Sequence, residues 1–106
     1  MKKITIALIA CTAIYCHANA VIGLITCPEW TKEARAVLKE KHELHTAWLF
    51  GVLSAENRHA TTDFLVGNQP SAMVKWVDNY CAANPLDNSG IAADNLIKTL
   101  QARKPN

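Results

Sequence analysis

The chain opens on two lysines, Lys2 and Lys3, and then runs almost without interruption through apolar positions from Ile4 to Cys16. His17-Ala18-Asn19-Ala20 follows, with small residues at both positions that a signal peptidase inspects. That three-part layout predicts a secretory signal over residues 1–20, cleaved after Ala20. The run is too short to span a bilayer as a helix, which takes roughly 20 residues. Leu8-Ile9-Ala10-Cys11 resembles a lipidation box, but only a short apolar stretch precedes it, and Cys16 follows the bulky Tyr15. Plain cleavage is therefore expected, with no stable membrane insertion, and 21–106 as a single helical domain.

From Trp30 onward the pattern turns helical. Trp30, Ala34, Val37, Leu38, Leu44, Trp48, Leu49, Val52 and Leu53 recur at spacings of three and four, with Lys and Glu filling most of the rest. The stripe weakens at Lys41-His42-Glu43, which predicts two helices with a break near residues 38–43. Ala60 to Pro70 has no helical stripe and reads as a loop held by a short apolar anchor, Phe64-Leu65-Val66. Pro70 suits the first turn of the next helix, where Ala72, Met73, Trp76, Val77 and Tyr80 recur up to Cys81. Asn84-Pro85-Leu86-Asp87 breaks the chain again, with Asp87 or Ser89 as the expected cap. The last helix is expected to bury Ile91, Ala92, Ala93, Leu96, Ile97 and Leu100. Nothing alternates with a period of two. The expected fold class is all-α, a small disulfide-stapled bundle of about four helices.

Charge changes the picture only after processing. The whole chain carries a formal net charge of +2, and Lys2 and Lys3 account for all of it. A mature chain starting at Val21 is neutral and has no basic run beyond Arg103-Lys104, so nucleic acid is excluded as a partner. Of the four cysteines, Cys11 and Cys16 leave with the signal. Cys27 and Cys81 then form an even pair in a small exported domain, which reads as a disulfide. Closing a loop of about 55 residues is worth on the order of 4 kcal/mol in the chain-entropy model. A domain this small needs such support.

Catalytic patterns fail on inspection. Gly51-Val52-Leu53-Ser54-Ala55 lacks the second glycine of a nucleophile elbow. His42-Glu43-Leu44-His45 spaces its histidines by three, whereas the zincin motif needs four. His42, His45 and His59 are read as solvated or partly packed side chains, so no metal and no cofactor are expected; a histidine pair that senses pH stays open. Glu56 and His59, one turn apart, suggest a salt-bridged face. Trp30, Trp48 and Trp76 fall one to each predicted helical segment, as core packing requires, although one of them is free to anchor a partner. No enzyme is expected.

Three stretches carry a resemblance. They are Cys27-Pro28-Glu29-Trp30; Trp48-Leu49-Phe50-Gly51-Val52-Leu53-Ser54-Ala55-Glu56-Asn57; and Trp76-Val77-Asp78-Asn79-Tyr80-Cys81-Ala82-Ala83-Asn84-Pro85-Leu86-Asp87. With Ala92-Ala93 and Leu96 to Leu100 they span most of the mature chain, which resembles the Rap/Tai group of exported bacterial immunity proteins (resistance-associated proteins and type VI amidase immunity proteins). The resemblance implies a periplasmic helical protein, often a homodimer. Its implied partner is a peptidoglycan-cleaving amidase delivered by type VI secretion, which it inhibits. Such an inhibitor needs a rigid scaffold presenting a loop to a cleft. The 60–70 loop is the expected contact, with Thr61, Thr62, Asp63, Asn68 and Gln69 as its polar tips. A looser similarity links the chain to periplasmic acid-stress chaperones of the HdeA type, which would imply a dimer that opens at low pH. A structural accessory of a cell-envelope machine is a third reading.

Overall fold

Trp30, with none of its surface exposed, sits where three helices meet. The computed structural model describes residues 20–36 and 39–103, and the helices there are α1 (Cys27–Arg35), α2 (Lys39–His59), α3 (Pro70–Ala83) and α4 (Ser89–Ala102). Residues 1–19, which hold the expected export signal, lie outside the described residues, as do Val37, Leu38 and Lys104. The fold is an all-α bundle. α1 packs on α2 and α3, and α4 packs on α2 and α3.

α1 starts on Thr26, whose hydroxyl accepts from Glu29 N at 3.2 Å, and Pro28 fills its first turn. Its last turn tightens as Ala36 N donates to Glu33 O at 3.2 Å, and Ala36 is then extended. The expected break is real but falls earlier: α2 is already helical from Lys39, so residues 39–43 belong to one continuous helix. The new helix starts out of phase with the old stripe. Leu44 is consequently 67 % exposed, while Leu49 and Leu53 face the core; Ala34, near the end of α1, is also exposed.

The extended lead-in pairs with the start of α4. Thr26 and Asn88 form an isolated antiparallel bridge: Cys27 N donates to Asp87 O at 2.9 Å, and Ser89 N donates to Ile25 O at 2.8 Å. The α4 cap is neither of the two residues expected. Asn88 caps it, its side-chain oxygen accepting from Ile91 N at 3.0 Å. Ser89 is buried, and its hydroxyl accepts from Ile25 N at 3.1 Å, because the lead-in amide has no other acceptor there. Asp87 is drawn to the Tyr80 hydroxyl instead. Ile91 is 40 % exposed, a correction to the expected α4 core; the other five predicted positions are buried. The lead-in also crosses α2, where Trp48 Nε1 donates to Ile22 O at 2.7 Å. Gly23 has φ +89°, and a Cβ there would lie 2.7 Å from Trp48 Cδ1, so only glycine passes.

Cys27 and Cys81 are joined, tying the start of α1 to the last turn of α3. Both residues are buried within the apolar core beside Trp30, Val77 and Leu96.

Candidate partner-binding loop

The connection between α2 and α3 is short, polar and cross-tied. Asn57, in the last turns of α2, reaches over it with both ends of its side chain. Its Nδ2 donates to Asp63 Oδ1 at 2.9 Å, and its Oδ1 accepts from Phe64 N at 2.9 Å. Asp63 Oδ1 also accepts from Leu65 N at 3.0 Å and Val66 N at 3.1 Å, the local turn chemistry that aspartate favours. The Asn57 hydrogen bond and then the Leu65 amide hold the Asp63 carboxyl below its ordinary value. Gly67, at φ +78°, closes the turn.

The second half of the loop is tied across the bundle. Asn68 Nδ2 donates to Phe64 O at 3.0 Å, and its Oδ1 accepts from Arg103 Nη1 at 3.2 Å at the end of α4. Phe64 is the apolar anchor, 6 % exposed within the core cluster; Leu65 is half-buried and Val66 turns outward at 69 % exposed. Between this loop and the end of α4 lies an open groove of about 680 Å³, to which Thr61, Thr62, Asp63, Asn68, Gln101 and Arg103 contribute.

The five predicted contact residues therefore divide by role. Thr61 and Thr62 are exposed on the groove wall. Asp63 and Asn68 also line it, with Asp63 Oδ1 and both ends of the Asn68 amide engaged in holding the loop. Gln69 is exposed at the N-cap position of α3, where its side chain makes no capping bond. Arg103, Gln101 and Asn57 were not expected. Arg103 and Gln101 reach the loop only through tertiary folding, which no local spacing announces.

His42 and His45 sit one turn apart on α2 but turn to different partners. His45 Nδ1 meets Glu33 Oε1 at 2.6 Å across the α1–α2 junction, the one His–carboxylate hydrogen bond among the described residues. His42 sets its ring edge-on to Trp30, centroids 5.4 Å apart. His59, seventeen residues further along α2, is about 25 Å away at 1.5 Å per residue. No group of three or more His, Cys, Asp or Glu among the described residues is placed to hold a metal ion. Glu56 and His59 are both exposed and form no ion pair, so the salt-bridged face expected there is not formed. Among the described residues no helix is long and apolar enough to cross a membrane. Comparison with protein-family models, curated proteins and solved structures returns no match, so the reading of this loop rests on its own geometry.

Proposed function

We propose that the chain is an exported, periplasmic immunity protein that binds and inhibits a peptidoglycan amidase delivered by type VI secretion. The observation that carries the reading is the cross-tied loop. Asn57, Asp63, Asn68 and Arg103 fix its backbone in advance, while Thr61 and Thr62 are exposed beside an open groove. A loop ordered before binding loses little conformational entropy on docking, so its contacts count toward affinity. The Cys27–Cys81 bond adds rigidity and suits an oxidising compartment. Such an inhibitor needs no catalytic residues of its own.

The test is capture followed by assay. The tagged, oxidised chain is exposed at neutral pH to lysate of the cell that makes it, and stoichiometric partners are tested for peptidoglycan hydrolysis. One cell-wall amidase, bound one to one and inhibited on binding, is the expected result. A bare bait overturns the reading. Many substoichiometric clients captured only after acid treatment would replace it with an acid-stress chaperone.

A further inference from the structure

The groove between the α2–α3 loop and the end of α4 is lined by two opposite charges that do not meet. Asp63 stands on the loop and Arg103 at the C-cap of α4, both exposed. Among the described residues no ion pair joins them. Asn68 holds the guanidinium elsewhere: its Oδ1 accepts from Arg103 Nη1 at 3.2 Å while its Nδ2 donates to Phe64 O at 3.0 Å. A guanidinium carries five N–H donors, of which Asn68 takes one. The ties from Asn57, Leu65 and Val66 to Asp63 all fall on Oδ1, and Oδ2 is the second acceptor of that carboxylate. Those same bonds hold the Asp63 carboxyl below its ordinary value, so it is ionised at neutral pH.

Between the charges the groove changes character. Phe64 and Leu100, both buried, give it an apolar floor. Thr61, Thr62 and Gln101 are exposed on its walls, with side chains that both donate and accept. Its volume of about 680 Å³ lies in the range of small-molecule sites. We propose that the groove binds a short zwitterionic peptide, its α-ammonium on Asp63 Oδ2, its α-carboxylate on Arg103 and its apolar side chains over Phe64 and Leu100. A simple anion is repelled by Asp63 and a simple cation by Arg103, so a ligand of one sign is opposed at one wall. An uncharged apolar ligand would desolvate both charges and replace neither partner. A peptide meets each feature at once, with main-chain amides for the threonine hydroxyls and the Gln101 amide. The loop is already tied by Asn57 and Asn68, so binding orders little new backbone. The inference does not rest on the amidase reading, and its test uses this chain alone.

The experiment is an NMR titration of the oxidised, isotope-labelled chain with trialanine at about pH 6.5, where a peptide's α-ammonium is charged. Trialanine is expected to shift the amides of Thr61 to Asn68 and of Gln101 to Arg103 saturably. N-acetyl-trialanine lacks the ammonium and trialanine amide lacks the carboxylate. Each should bind about threefold or more weakly, the size of an exposed charge pair. Asp63→Asn keeps the oxygen that ties the loop and should bind trialanine and its acetylated form alike. Arg103→Gln keeps a donor for Asn68 and should bind trialanine and its amide alike. No saturable shift at those amides, up to the solubility limit of the peptide, overturns the proposal. So does equal binding of free and blocked peptides to the wild-type chain, a comparison that depends on no variant's folding.

Discussion

The indole N–H of Trp30 donates to the Asp78 carboxylate at 2.7 Å, joining α1 to α3 across forty-eight residues of sequence. A fully buried indole keeps its solvation only through such a partner. Asp78→Ala leaves that donor unpaired and should cost about 1–3 kcal/mol. Asp78→Asn keeps an acceptor and should cost less. Urea unfolding of the two variants measures the difference.

The Cys27–Cys81 bond spans a sequence separation of 54. Replacing both cysteines with alanine should lower unfolding free energy by about 4 kcal/mol, chiefly by freeing the unfolded chain. That is a large share of the stability a domain of this size attains. The urea midpoint of the double variant, compared with that of the oxidised chain, checks it.

Asp63 makes the loop acid-sensitive. Its folded pKa is lowered from 3.8, first by Asn57 and then by the Leu65 amide. The contribution is therefore present above the ordinary carboxylate value and lost as pH falls through the lowered one. Amide exchange at Leu65 and Val66 should accelerate in that acid range. Asp63→Asn keeps the acceptor oxygen and should remove the pH dependence while preserving protection; Asp63→Ala should lose protection at neutral pH.

Tyr80 behaves in the opposite sense. Its hydroxyl donates to Asp87 Oδ2 at 2.6 Å and accepts from Asn95 Nδ2 at 3.2 Å, and its ring stacks on Trp76. The Asp87 hydrogen bond, then burial and the Asp87 charge, raise its pKa above 10.0. The contribution is complete below the ordinary value and disappears as pH rises through the raised one. A chain cleaved after Ala20 holds Tyr80 alone, since Tyr15 leaves with the signal. Phenolate absorbance should then show one transition above pH 10.0, and Asp87→Asn should bring it back toward that value.

Much of the bundle was legible in local pattern. Met73 and Val77 at helical spacing mark the buried side of α3, Pro70 marks its start, and the even cysteine pair marks the staple. What escaped depends on phase and on tertiary partners. The break after Arg35 resets the helical phase, so Leu44 continues the old stripe by spacing yet faces solvent. Asn88 and Ser89 both suit a helix start, and only the Ile25 strand contact decides which one caps. In the candidate loop, Thr61 and Thr62 are exposed beside the groove. The ties from Asn57 to Asp63 Oδ1 and from Arg103 to Asn68 Oδ1 come from helices that local sequence cannot bring together.

The loop's role is tested most directly by peptidoglycan hydrolysis by the captured amidase, titrated with this chain and with a Thr61→Arg, Thr62→Arg double variant. Both positions are exposed, so the variant should keep the wild-type fold. Wild type is expected to abolish hydrolysis near one equivalent, and the variant to require a large excess. Undiminished hydrolysis with wild type in excess, or equal inhibition by a correctly folded variant, would contradict the account.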